Sequence, residues 1–97
     1  MISVIIPTLN EKKNVIILSK KLVKIKIIGE IIFVDDNSED GTFNTIKELK
    51  HRKIKAYKRL NDRDLCRSVI FGIKRSKFKN ILVMDCDLQH DTKYIPK

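Results

Sequence analysis

Three stretches of this chain are short, almost unbroken runs of branched apolar residues: ISVII at residues 2–6, EIIFV at 30–34 and NILVM at 80–84. Ile and Val are stiff at χ1 and pack well on a pleated surface. A run of them without polar alternation predicts a strand covered on both faces, the habit of parallel sheets. A fourth run, KIKAY at 53–57, alternates Lys with apolar residues and predicts a half-exposed strand at a sheet edge. The intervening segments carry a helical period. Val15, Leu18, Leu22 and Ile25 recur at steps of three and four within residues 11–25, with Asn10 as the expected N-cap. Phe43, Ile46 and Leu49 form a stripe in 42–51, and Leu65, Val69 and Ile73 another in 62–76. The order β-α-β-α-β-α-β predicts an α/β fold with a Rossmann-like, mostly parallel sheet and right-handed crossovers. No repeat, low-complexity tract or linker divides the 97 residues, so one core is expected.

Composition narrows the class. Hydrophobic residues at 42% exclude the apolar-poor signature of disorder. The formal charge of +9 suits a polyanion, an anionic membrane face or a phosphorylated substrate. The longest basic stretch, KKLVKIK at 20–26, has no flanking aromatic residue to stack a base, which disfavours a nucleic-acid module. Cys66 and Cys86 lack disulfide or zinc spacing, and the first ten residues have no basic leader, with Pro7 breaking their apolar run. A reducing, cytoplasmic setting without a membrane span is the expectation.

Ligands of open α/β sheets bind outside the carboxyl ends of the strands. Those ends are followed here by PTLNE at 7–11, DDNSEDGT at 35–42, RLNDRD at 59–64 and DCDLQHD at 85–91, so polar and acidic residues from several loops share one rim. Asn10, Ser38, Asp40 and Gly41 read first as caps and turns. The pairs Asp35 with Asp36 and Asp85 with Asp87 exceed what capping needs, because a close second carboxylate is repelled. Asp85 and Asp87, with the amide of Gln89, form an oxygen-rich set suited to Mg²⁺ or Mn²⁺. Since Mg²⁺ completes its shell with substrate phosphates, the natural cargo is a diphosphate, whose departure the metal would stabilise. Cys86, between the carboxylates, is expected to turn inward and pack. His90 is a lone loop histidine without an assigned role. No G-x-G-x-x-G follows the first strand, which removes the dinucleotide-binding class.

The stretches VIIPTLNE, IIFVDDNSEDGT and ILVMDCDLQHD, in this order across nearly the whole chain, resemble the donor-site motifs of family 2 glycosyltransferases, closest to the dolichol- or polyprenyl-phosphate mannosyl- and glucosyltransferase branch. The resemblance implies the N-terminal, nucleotide-sugar-binding half of a GT-A domain over residues 1–97. It also implies an inverting transfer of a hexose from a nucleotide diphosphate, of the GDP-mannose or UDP-glucose class, to a lipid phosphate at the cytoplasmic membrane face. In its terms Pro7, Leu9 and Glu11 line the nucleoside pocket, and Val34 and Asp36 contact the base. Arg63 and Leu65 match part of a third motif, and Gly72 matches a helix glycine. Asp85 and Cys86 touch ribose and diphosphate, while Asp87, the expected catalytic residue, holds the metal with Gln89 and Asp85. Where relatives carry Gly-Leu-Gly, this chain has Asp64, Leu65 and Cys66. The acceptor surface and any base are expected beyond residue 97, leaving these residues inactive alone.

Two other classes compete. IIFVDDN followed by ILVMDCD also resembles a response-regulator receiver, with Asp85 as phosphoacceptor and Asp35 and Asp36 on Mg²⁺. Here, however, a complete β-α unit precedes the acidic pair, whereas a receiver begins with it. A non-catalytic basic interaction module is the third reading.

Overall fold

The computed structural model describes residues 1–60 and 63–86. The elements alternate as expected: β1 Ile2–Thr8, α1 Lys12–Leu22, β2 Ile28–Asp35, α2 Thr42–Glu48, β3 Ile54–Lys58, α3 Leu65–Lys74 and β4 Asn80–Val83. All strand pairings are parallel, in the order β3-β2-β1-β4. The chain therefore winds outward from β1 through β2 to β3, then returns across β1 to lay down β4. The strand order reverses between β1 and β4, the place where such sheets open a crevice.

The unbroken Ile and Val runs of β1 and β2 are the centre of the molecule. Alternation along a strand sends Val4, Ile6, Ile31 and Phe33 to one face, where they pack with Val15, Leu18 and Leu22 of α1 and Ile46 of α2. Ile5, Ile32 and Val34 go to the other face, with Phe71 of α3 and Tyr57 against them. β3 is at an edge and only half-buried, as its alternating lysines predict.

Four local expectations are corrected. Asn10 is not the N-cap of α1: Glu11 holds that position, and Asn10 turns the chain with a left-handed φ of 55°. Helices α1 and α2 are shorter than their apolar periods, because the tails of those periods, Ile25 and Leu49, serve as connections. The α3 stripe does not face the core either, since Leu65 is 62% exposed and Ile73 is exposed too, while Ser68 and Gly72 are buried. The small face wins because α3 sits tight on the sheet: a Cβ on Gly72 would come within 2.6 Å of Ile5 and 3.2 Å of Val34. Finally, β4 is not covered on both faces. It pairs with β1 alone among the described residues and leaves Ile81 and Val83 exposed. Among the described residues no helix is long and apolar enough to cross a membrane.

Candidate active site

The parallel sheet delivers the ends of β1, β2, β3 and β4 to one rim, and a cleft of about 340 Å³ opens there. Pro7, Leu9 and Glu11 form its β1 side, Asp85 and Cys86 its β4 side, and Asp36, Arg63 and Asp64 close it beneath the start of α3. Seven of the predicted site residues thus share one concavity, which lies against the strand reversal. Its volume is within the ordinary range for a small-molecule site.

Asp35 and Asp36, adjacent in sequence, leave β2 toward opposite faces. Asp35 turns to the side of α1 and α2, where its carboxylate accepts from Thr8 Oγ1 at 2.9 Å, Ser38 N at 2.8 Å and Ser38 Oγ at 2.5 Å. It is a structural clasp between β1 and the β2–α2 loop. Asp36 turns to the side of α3, where Oδ1 accepts from Arg59 Nη1 at 2.8 Å and Oδ2 from Asp64 N at 2.7 Å. Arg59 is as deeply buried as its partner and also donates to Ser68 Oγ at 3.1 Å and the Asp64 carbonyl at 3.3 Å. The mutual repulsion expected of the acidic pair is removed by divergence and by separate donors. Each Asp36 oxygen keeps a second lone pair, so accepting a ring N–H remains chemically open to it.

A second lacework ties the β1–α1 and β2–α2 loops. Asn10 N donates to Ser38 Oγ at 2.8 Å, Glu39 N to Asn10 Oδ1 at 2.9 Å and Glu11 N to Thr42 Oγ1 at 3.0 Å. Asp40 accepts from Lys12 N at 3.2 Å, from Thr42 N at 3.0 Å and from the Thr42 hydroxyl. That hydroxyl, helped by the Lys12 and Thr42 amides, holds the Asp40 carboxyl below its ordinary value of 3.8 against the opposing effect of burial. Gly41, at φ 88°, makes the turn these contacts require. Cap and turn chemistry therefore accounts for Asn10, Ser38, Asp40 and Gly41.

Arg63 reaches from the β3–α3 loop to the Asn37 carbonyl at 3.0 Å and Glu39 Oε1 at 3.1 Å, placing a guanidinium at the cleft mouth. Asp85 contrasts with the other acids. Its side chain is exposed on the cleft wall and makes no hydrogen bond or ion pair with the described residues. Cys86 is buried and joins the core, as expected. The Val34 side chain, fully buried beneath Gly72, is not on the cleft wall. Asp87 and Gln89, the other predicted metal ligands, lie outside the described residues, as does His90. No group of three metal-ligating side chains occurs among the described residues. Of the acids lining the cleft, Asp85 is the one uncommitted among the described residues, and its chemistry suits a hard divalent cation.

Sequence reasoning missed Arg59 and Ser68. A signal was present, because an arginine directly after an edge strand, within reach of the strand ends carrying Asp36, is a natural counter-ion for a buried carboxylate. Ser68 offered no signal beyond its small size among larger apolar neighbours.

A parallel sheet with its cleft at the strand reversal is the architecture of nucleotide-binding α/β proteins. Residues 3–97 match glycosyl transferase family 2, and the chain belongs to that family. It is 35% identical over 102 residues to a dolichol-phosphate mannosyltransferase of Saccharomyces cerevisiae, covering 98% of this chain and 38% of that protein. It is 37% identical over 99 residues to a dolichol-phosphate mannosyltransferase of Pyrococcus furiosus, covering 99% of this chain and 28% of that one. The chain thus spans about a third of the length of these relatives. Its fold is that of the GT-A mannosyltransferases: a mannosyltransferase from Pyrobaculum calidifontis, solved in complex with GDP-Man and Mn²⁺, superposes with a TM-score of 0.80. That likeness holds at 18% identity and covers 89% of this chain and 27% of the other.

Proposed function

We propose that the rim cleft binds a nucleotide-diphosphate sugar of the GDP-mannose or UDP-glucose class. Within a complete glycosyltransferase it would present the sugar for inverting transfer to a dolichyl or other polyprenyl phosphate. The observation that carries this reading is Asp85, a carboxylate without a partner among the described residues, on the wall of a cleft where the neighbouring acids are committed. Mg²⁺ or Mn²⁺ would be held by Asp85 with Asp87 and Gln89, and when bound it supplies charge stabilisation for the departing diphosphate. Pro7, Leu9 and Glu11 would wall the nucleoside, Asp36 would accept from the base, and Arg63 would add a cation beside the phosphates. Arg59 acts one step back by fixing the Asp36 carboxylate.

The acceptor phosphate is already ionised, so the rim need not supply a strong base. The relatives named for dolichol-phosphate mannosyl transfer support a lipid acceptor, and such an acceptor would bring the protein to the cytoplasmic membrane face. The 97 residues form the donor-binding part and would bind donor without turnover.

Calorimetric titration with GDP-mannose and UDP-glucose, in Mn²⁺, Mg²⁺ and chelator, tests the site. Binding that needs the metal and is lost in both Asp85→Asn and Asp87→Asn is expected. Binding indifferent to chelator and to both substitutions would overturn the metal assignment, and no binding of either donor would overturn the site. Sugar transfer by the purified chain would show that the acceptor machinery is within these residues.

A further inference from the structure

At the end of the sheet opposite the rim, the strands are entered by loops of residues 23–27, 49–53 and 75–79. Because every strand is parallel, all three loops emerge together. The first carries Lys24 and Lys26, the second Lys50, Arg52 and Lys53, and the third Arg75, Lys77 and Lys79, with no Asp or Glu in any of them. Lys26, Arg52, Lys53 and Lys77 border an open concavity of about 530 Å³, with Met1 and Gly29 at its sides.

These charges are not neutralised locally. Lys26 and Arg52 make no hydrogen bond or ion pair among the described residues. Lys53 is fixed on the wall by the Val23 and Ile25 carbonyls, both at 3.3 Å. Lys77 Nζ stands 5.8 Å from the centre of the Phe78 ring. Of the two carboxylates at this end, Glu30 is buried and already occupied by Ser3, Lys55 and the Lys77 amide, and Glu48, exposed at the end of α2, does not line the concavity. A surface that only solvates its helices intersperses both signs, whereas this end has one sign around a hollow. Such a hollow concentrates anions, and guanidinium and ammonium groups together match phosphate oxygens. A nucleic-acid strand fits less well, since these loops offer only Phe78 and His51 as rings, both half-buried, so successive bases have no stacking platform.

We propose that this concavity is a second anion site, separate from the rim, that takes a phosphate-bearing group from either a soluble polyphosphate or an anionic lipid headgroup. It does not depend on the donor-site reading.

The chain is titrated with inorganic pyrophosphate in chelator, which removes metal-bridged binding at the rim. It is also co-sedimented with phosphatidylcholine vesicles with and without phosphatidylglycerol. The comparison protein is Lys26→Glu/Arg52→Glu/Lys77→Glu, whose altered side chains are exposed, with its thermal melt as the folding control. Binding by the parent that weakens with salt, and is reduced on the order of a hundredfold or more in the triple variant, is expected. Pyrophosphate binding identifies a soluble ligand, and binding to phosphatidylglycerol vesicles alone identifies a headgroup. Absence of both, retention of binding by a folded triple variant, or tighter binding to duplex DNA than to either probe would overturn the proposal. Metal-dependent GDP-mannose titration of the same variant is expected to match the parent, so the two sites fail or stand separately.

Discussion

Seven of the nine carboxylates among the described residues lie at the C-terminal ends of the strands, with only Glu30 and Glu48 elsewhere, whereas the loops at the opposite end hold eight cations and no carboxylate. The two ends also treat their charge differently. At the rim Asp35, Asp36, Asp40 and Asp64 are met by backbone amides, hydroxyls or an arginine, so most of the acidity there is structural. Among the described rim acids only Asp85, on the β4 side, makes no hydrogen bond or ion pair. At the other end Glu30 is buried and consumed and Glu48 is exposed at the end of α2, while Lys26 and Arg52 make no hydrogen bond or ion pair among the described residues. Charge density is therefore a poor guide to a site, and the unsatisfied member of each cluster is the better one.

The largest expected effect breaks this comparison at its rim. Arg59→Met would leave Asp36 buried without its counter-ion, at a cost of about 3–5 kcal/mol. Urea denaturation would read this as a lower midpoint with an unchanged slope. Adding Asp36→Leu is expected to recover much of the loss, because a buried pair replaced by packed apolar groups is often neutral. If Arg59→Met alone is silent, the Asp36 pairing is not holding the rim together.

The same contrast explains what was legible in the sequence. The Ile and Val runs of β1 and β2, the edge position of β3 and the alternation of helix with strand follow from periodicity, because burial on two faces leaves little choice of residue. The side of α3 that packs did not. Its large residues Leu65 and Ile73 made the visible stripe, yet close approach to Ile5 and Val34 demanded Gly72, and a missing side chain carries no hydrophobic signal. β4 reads as apolar all round but has one strand neighbour among the described residues, so composition alone did not give its exposure. At the site, the sequence grouped the acids on one rim correctly. It could not tell which were committed, because Asp35 and Asp36 differ only in the face they leave from, and their partners lie far along the chain.

A smaller effect tests the opposite end. Burial pushes the Glu30 carboxyl up, but Lys55, Ser3 and the Lys77 amide together outweigh it, and the net direction is below the ordinary 4.5. A carboxyl lower in the folded than in the unfolded state contributes stability that is present above the unfolded value and lost as pH falls through the folded one. Glu30→Gln is expected to cost about 1–3 kcal/mol at neutral pH. The gap between the two proteins should then close as pH drops below 4.5. A gap that stays constant through that range would mean that Glu30 contributes by shape and not by charge.

The smallest effect sharpens the division of labour within the rim. Asp40 bonds the Lys12 amide and the Thr42 amide and hydroxyl, so it joins the entrances of α1 and α2 without lining the cleft. Removing it in Asp40→Ala should cost about 1 kcal/mol, the usual value for a lost capping side chain. Thermal unfolding would register a modest decrease. Asp85→Asn should move stability least, since its carboxylate holds no described neighbour, yet it should abolish metal-dependent donor binding. The paired outcome is what separates a clasp from a ligand: Asp40→Ala lowers stability and keeps donor affinity, while Asp85→Asn does the reverse. Two variants that lost stability equally would show that Asp85 belongs with the structural acids, and the acidic rim would then be scaffold throughout.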